Sequence, residues 1–248
     1  MLQLKRGKMN KGKFYRQWVG TDDLVSFNVV VDQTDLFVRA ERVLPNEVRD
    51  SVIKHRGVIQ EYIHRRPEFQ SSLTPIESAA TAPAIIKDML SAASQSGVGP
   101  MAGIAGVIAE YVGKDILQYS NEVIVENGGD IFLKTDLERT LGIFASDSAF
   151  TKRLGLRIYP QHTPLGVCAS SGTFGHSLSF GRADAAIVVS KNTTLADCVA
   201  TKVGNAVKTT DDITEGINAA KSIEGVLGVV IIIGDKLGSW GEIELIRI

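Results

Sequence analysis

The sequence predicts an α+β fold: a mixed or antiparallel sheet covered by helices. Two observations carry this. Segments with β pattern gather at both ends of the chain and helical segments fill the middle, and the strict β–α–β–α alternation of a doubly wound fold does not occur. A third observation sets the scale. The chain has 248 residues, 44% of them hydrophobic and 22% charged, enough to bury a core without disulfides or structural metals. No Pro/Gly/Ser-rich break divides it, so residues 1–248 read as one domain with an N-terminal β-meander lobe over about 13–43.

Lys13 to Val19, Leu24 to Val31 and Leu36 to Val43 are rich in aromatic and β-branched residues, with turn residues at Asp22–Asp23 and Asp32–Gln33–Thr34–Asp35. Pro45 sets a helix start, and Val48, Val52, His55, Ile59 and Ile63 recur at helical spacing until Arg65–Arg66–Pro67 ends the run. Residues 71–78 read as a loop around Pro75. Pro83 opens a second helix, which Gly97 and Gly99 break. A third follows from Met101 to Leu117, apolar on nearly every side and so expected to be buried. From Glu122 onward β patterns return at Val123 to Val125, Ile131 to Leu133, Leu141 to Ala145, Leu156 to Ile158, Gly166 to Ala169 and Ala185 to Val189. Leu195 to Val207 and Asp211 to Lys221 are helical. Val226 to Ile233 and Glu242 to Ile246 complete the sheet.

Several functional classes drop out on composition. A formal net charge of −1 does not suit a dedicated nucleic-acid or polybasic membrane protein. The two cysteines, Cys168 and Cys198, are too few for a disulfide framework or a zinc site and point to a reducing compartment. No stretch approaches the roughly 20 apolar residues of a spanning helix. The basic residues of the first 16 positions precede no apolar signal core. A soluble, cytoplasmic protein is expected.

Four stretches can carry chemistry. Gly97-Val-Gly99-Pro-Met-Ala-Gly103-Ile-Ala-Gly106 precedes a helix, where bare backbone N–H groups can approach phosphate oxygens. The same run also suits a tight corner between helices. It lacks the strand that a dinucleotide fingerprint requires before it, which argues against a Rossmann-type dehydrogenase. Asn127-Gly128-Gly129-Asp130 lies between two β runs. It is an ordinary hairpin signal, and equally a stretch of bare backbone on which a bulky cofactor can rest. Asp197 and Thr201 stand four apart on a helix and share one face. A carboxylate and a hydroxyl there suit Mg²⁺ held between protein and phosphates, though an acid near a helix start also interacts favourably with the helix dipole. Ser170-Ser171-Gly172-Thr173-Phe-Gly-His176 is a polar loop after a strand, where His176 is either a general base or an exposed loop histidine.

In this order the segments resemble the ApbE-type flavin transferases. The carriers are Ala102-Gly-Ile-Ala-Gly106, Asn127-Gly-Gly-Asp130, Ser170-Ser-Gly172 and Thr194-Leu-Ala-Asp-Cys-Val-Ala-Thr201, and the Gly-Val-Gly-Pro-Met-Ala run looks most like an ApbE-like branch of that family. The resemblance covers about residues 95–210. It implies an ApbE-like fold with FAD in a Gly-rich cleft, and Mg²⁺-dependent transfer of FMN from FAD to a Thr or Ser of an acceptor flavoprotein. It assigns the metal to Asp197 and Thr201, with a backbone carbonyl near Gly103. The flavin site falls on Asn127, Gly128, Gly129, Asp130, Ser171 and Gly172, and the catalytic histidine on His176. The chain departs from the family pattern at Pro100 and Gly106, where the family has an acid and a Lys. It departs again at His176-Ser-Leu-Ser-Phe180, where an Asp is lost. The alternative is a non-catalytic flavin- or nucleotide-binding, or structural, module with the same fold.

Overall fold

The computed structural model describes residues 23–77, 80–146, 148–151, 153–173 and 180–248. The strand expected over Lys13 to Val19 and the catalytic candidate His176 lie outside these residues.

The alternating segments pair into β1 (Val25–Val31), β2 (Thr34–Ala40), β3 (Val123–Asn127), β4 (Asp130–Lys134), β7 (Leu165–Ser170), β8 (Ala185–Ser190), β9 (Val226–Ile233) and β10 (Lys236–Gly241). Together they form an eight-stranded sheet of order β1-β2-β3-β4-β7-β8-β9-β10 in which every pairing is antiparallel. Between β4 and β7 the chain makes β5 (Arg139–Gly142) and β6 (Leu154–Ile158), which join β11 (Glu244–Arg247) in a second, three-stranded sheet. The sheet is thus antiparallel throughout rather than mixed.

Three hairpins turn on two-residue loops. Val31 pairs with Thr34, Asn127 with Asp130 and Ile233 with Lys236. Asp32, Gly128, Gly129 and Gly234 all have positive φ, as tight hairpin turns with right-handed strand twist require. Thr34 and Asp35 therefore belong to β2 and not to the turn. β10 had no sequence signal strong enough to mark it, because its Gly238 and Gly241 break the alternation. Its pairing is set by the turn after β9.

The helices cover one face of the large sheet. α1 (Pro45–Arg65), α3 (Ala84–Ser96) and α4 (Ile104–Ile116) pack on β1–β4 through Val48, Val52, Ile86, Met89, Ile108 and Val112. α5 (Thr193–Ala206) and α6 (Ile213–Lys221) pack on β7–β10 through Val199, Val203 and Ala220. Residues 68–71 form a short helix, α2, between the end of α1 and the expected loop. The three-stranded sheet packs on the other face, with Leu141, Ile143 and Leu156 against Ile124, Val167, Ile187 and Ile232. Arg139, 3% exposed, clamps this second sheet in place. Its Nη2 donates to Glu122 Oε2 at 2.7 Å and Asp23 Oδ2 at 2.7 Å, and its Nε donates to Thr135 Oγ1 at 2.9 Å. Three layers result: helices, large sheet, small sheet. Among the described residues no helix is long and apolar enough to cross a membrane.

Helix-to-sheet distance is fixed at single glycines. A Cβ on Gly113 of α4 would lie 2.1 Å from the Phe132 ring of β4, whereas one on Gly57 of α1 would meet nothing within 4 Å. Replacing a helical Gly by Ala ordinarily stabilises by roughly 0.5–1 kcal/mol, and overpacking costs about 1–3 kcal/mol. Gly57→Ala is expected to raise, and Gly113→Ala to lower, the unfolding free energy measured in urea.

Candidate functional site

The site begins with two helices that cap each other. Asp197, in the second turn of α5, accepts the Gly106 N–H of α4 on Oδ2 at 2.8 Å, and also a bond from the Ala105 N–H. Glu110, in the second turn of α4, accepts the first N–H groups of α5 on Oε2, Thr193 at 2.9 Å and Thr194 at 3.2 Å. Lys114 donates to its Oε1 at 2.6 Å. Each helix start thus places its unpaired donors and positive dipole end on a carboxylate of the other. The helices must approach closely for this. A Cβ on Gly106 would fall 2.7 Å from the Thr193 carbonyl oxygen, and one on Gly103 would fall 2.8 Å from Cys198 Sγ.

This decides between the two readings of the glycine run in favour of the tight corner between helices: Asp197 takes the Ala105 and Gly106 N–H groups, and Gly103 and Gly106 serve the packing. Gly97 ends α3 in the left-handed conformation, so no strand precedes the run. Asn192 caps the start of α5, its side-chain oxygen accepting the Leu195 N–H at 2.8 Å.

Around this pair lies a cavity of about 870 Å³ at one end of the large sheet. Asn127, Gly128, Gly129, Asp130, Ser171, Asp197 and Thr201 line it, so most of the sequence-derived site residues converge on one hollow. Gly103 and Gly172 do not reach the lining. Gly103 faces Thr194 and Cys198, and a Cβ on Gly172 would fall 2.2 Å from the Gly181 carbonyl oxygen. Neither Gly128 nor Gly129 has an atom within 4 Å of where a Cβ would stand, so the hairpin offers bare backbone.

The hairpin divides the cavity. On the helix side stand Asn127, whose Nδ2 donates to the Ala105 carbonyl at 3.1 Å, together with Asp130, Ser170, Asp197, Thr201 and Asn205. On the other side, between the two sheets, stand Phe37, Arg39, Ile124, Glu126, Ile131, Val167 and Ile187, facing Leu141 and Ile143. Sequence reading missed Arg39, Glu126, Asp184 and Asn205, which lie outside the four stretches or at their margins. The signal available was a charged residue at Arg39 and at Glu126 within β-patterned runs.

Two carboxylates dominate the electrostatics. Asp130 and Asp197 are 6% and 7% exposed. Burial and the Asp197 charge hold the Asp130 carboxyl well above its usual range, while the Ala169 N–H, at 3.2 Å from Oδ1, pulls it down. Burial pushes Asp197 up to about 7 against the pull of the Gly106 and Ala105 N–H groups. Burial also raises both free thiols, Cys168 and Cys198, which are therefore inert. Among the described residues no group of three or more His, Cys, Asp or Glu suits a metal ion. Mg²⁺, which keeps waters and phosphate oxygens among its ligands, does not need one.

The fold and this cavity define an ApbE-type α+β protein. The structure resembles the apo flavinyl transferase ApbE of Pseudomonas stutzeri with a TM-score of 0.54 and 12% identity, over 88% of this chain and 94% of that one. A variant of the flavin transferase ApbE from Vibrio cholerae matches with a TM-score of 0.52 and 12% identity, over 88% of this chain and 97% of that one. The chain belongs to the family whose model is described as "AbpE bacteria", which matches residues 16–236. Its relatives include the UPF0280 proteins of Methanococcus aeolicus and Methanocella arvoryzae. Each is 41% identical, the first over 80% of this chain and 82% of the relative, the second over 79% and 80%.

Two predictions follow from the capped helix pair. Glu110→Ala leaves two buried N–H groups without acceptors, each costing about 1–3 kcal/mol, so urea unfolding is expected to show a loss of roughly 2–4 kcal/mol. Glu110→Gln, which keeps an acceptor oxygen, should lose less. The second concerns pH. The folded chain holds the Asp197 proton more tightly than the unfolded chain, where Asp titrates near about 3.9. Between those values the native state binds more protons, so this group's contribution to stability falls as pH rises toward about 7. Without divalent cations, wild type should therefore lose stability relative to Asp197→Asn between about pH 4 and pH 7. A difference that stays flat counts against the assignment.

Proposed function

We propose that this cavity binds FAD, or a related nucleotide, together with Mg²⁺, and that the chain transfers the FMN part to a Ser or Thr hydroxyl of an acceptor flavoprotein. One observation carries the reading: Asp197 and Thr201 line the same cavity as the Gly128–Gly129 hairpin. Volume agrees, since pockets for small ligands run from about 300 to 1,000 Å³. The donor set agrees too. Two buried carboxylates repel each other here, and neither forms an ion pair with a described residue. A hard divalent cation relieves that repulsion.

When bound, Mg²⁺ neutralises charge that develops on the diphosphate. The chain's own part is to hold and orient. Asp197 and Thr201 would hold the ion. Asn127, Asp130 and Ser171 would line the nucleotide, with its backbone-contacting part over Gly128 and Gly129. In the transfer, the acceptor hydroxyl oxygen bonds to the FMN phosphorus, the bridging P–O bond of the diphosphate breaks, and AMP departs with the electron pair. The hydroxyl proton passes to a base, the role that the resemblance gives to His176. Two free cysteines suit a reducing compartment, and we propose the cytoplasm as that compartment.

A specific observation favours a second reading, binding without transfer. The family's Lys position is Gly106 here, and any side chain there would strike Thr193 and Asp197. That group of the transferase machinery is not merely substituted; the capped helices leave no room for it.

The test is to titrate the purified chain with FAD with and without Mg²⁺ and to follow AMP release. Mg²⁺-dependent binding is expected, with loss of at least about tenfold in affinity in Asp197→Asn, the range of a lost buried charged contact. Binding without AMP release, in the presence of a Ser- or Thr-bearing acceptor, selects the second reading. Equal FAD affinity with and without the cation would falsify the metal role.

A further inference from the structure

We propose that Glu126 is a positioning residue: it holds the Gly128–Gly129 turn in one conformation before a ligand arrives, so that binding does not have to order the turn. The inference rests on the nucleotide reading above and deepens it. Glu126 acts through the backbone of Gly129 and needs no contact with the ligand.

A turn made of two glycines needs holding. Gly128 and Gly129 take φ of 68° and 111°. Glycine visits such values freely, and it loses more conformational freedom on ordering than any other residue. Apart from chain neighbours, no atom of a described residue lies within 4 Å of where a Cβ at either position would stand, so packing does not fix the turn. The last ladder pair before it is Asn127 with Asp130. Glu126 supplies what packing does not. It is 5% exposed, and its Oε1 accepts the Gly129 N–H at 2.8 Å.

The acceptor is itself fixed. β3 runs between β2 and β4, and the register sets Glu126 between Phe37 and Ile131. Burial and the Arg139 charge lower Arg39, and the Glu126 charge opposes them, so the carboxylate and the Arg39 guanidinium support each other. A bond to a carboxylate is stronger than one between neutral groups. On the other face of the same strand, Asn127 Nδ2 donates to the Ala105 carbonyl at 3.1 Å. Consecutive residues of β3 thus tie the root of the turn on one face and its far amide on the other. The turn stays bare toward the cavity and still has one shape. A turn that samples several shapes binds with an affinity reduced by the fraction in the competent one, and Glu126 raises that fraction.

The experiment compares the full chain as wild type, Glu126→Met and Glu126→Gln. Met keeps about the same volume and removes the acceptor; Gln keeps an oxygen within reach. FAD affinity is measured with Mg²⁺, and hydrogen exchange of the Gly129 amide is followed with and without saturating FAD. Exchange of the β3 and β4 ladder amides shows that each variant is folded. Glu126→Met is expected to lose about tenfold in FAD affinity. Without ligand its Gly129 amide should exchange about tenfold faster than in wild type, and FAD should slow that exchange more than in wild type by about the factor lost in affinity. Glu126→Gln should stay within about threefold of wild type on both measures. The positioning role is overturned, and the flavin reading stands, if Gly129 of ligand-free wild type exchanges like an unprotected amide. The same holds if Glu126→Met keeps wild-type affinity, or if Glu126→Gln loses as much as Glu126→Met. If wild type binds no FAD in the presence of Mg²⁺, the flavin reading falls and the positioning role falls with it.

Discussion

The mutual capping of α4 and α5 is the constraint on which the site depends. Helix starts leave about four N–H groups without intrahelical partners, and burying them unpaired is costly. Here each buried start is answered by an acid one or two turns into the other helix, Asp197 on Gly106 and Glu110 on Thr193 and Thr194. Glu110 has a further partner in Lys114 and serves the packing alone. Asp197 serves the packing and also faces the cavity. Its side-chain position is therefore set by the fold rather than by a ligand, and the small residues that allow the helices to meet, Gly103 and Gly106, are part of the same device.

That device explains how a sheet end becomes a two-sided cavity. Along β3 the side chains alternate, so Asn127 reaches the helix layer while Glu126 and Ile124 reach the small sheet. The chain reverses at Gly128–Gly129, and among the described residues no atom lies within 4 Å of where a Cβ at either glycine would stand. Helices that pack closely on one face, and a three-stranded sheet clamped by Arg139 on the other, leave the hairpin as a saddle between a polar side and an apolar side.

Much of this was legible in the sequence. The 21-residue α1 was readable from Pro45 and the recurrence of Val48, Val52, His55 and Ile59, because a helix that packs one face on a sheet must repeat at 3.6 residues. The Asn127–Asp130 hairpin was readable from its paired glycines. Which strands pair was not, since β4 skips β5 and β6 to pair with β7, and the small sheet borrows β11 from the far end of the chain. Nothing local to a strand encodes such a partner. The cavity-lining residues of α5 and the hairpin were legible because chemistry-bearing residues cluster there in short motifs. Phe37, Arg39 and Glu126 were passed over because each stands singly within a β run, and only the register of β2 on β3 brings Phe37 beside Glu126. Gly106 was legible as a glycine but not in purpose. A glycine before a helix serves a phosphate or a neighbouring helix equally well, and only the position of Asp197 decides between them.

The charge of the lining sets the terms on which any nucleotide enters. Among the described residues, Asp35, Glu126, Asp130, Asp184 and Asp197 line the cavity together with Arg39. Arg39 stands on the inter-sheet side and so does not face Asp130 and Asp197 across the hairpin. A diphosphate on the helix side brings more negative charge to two carboxylates already pushed toward their protonated forms. At about 4 Å and an effective dielectric of about 20, a phosphate charge and an ionised carboxylate repel by roughly 4 kcal/mol. That outweighs the few hydrogen bonds that Asn127 or Ser171 can offer at about 0.5–1.5 kcal/mol each. In the proposed reading a cation therefore accompanies the anionic nucleotide, and it would belong to recognition before it belongs to any chemistry. This holds whether or not transfer follows, and so it joins the catalytic and the binding readings instead of dividing them. What separates the two is the proton acceptor and the group lost at position 106, not the affinity of the cavity.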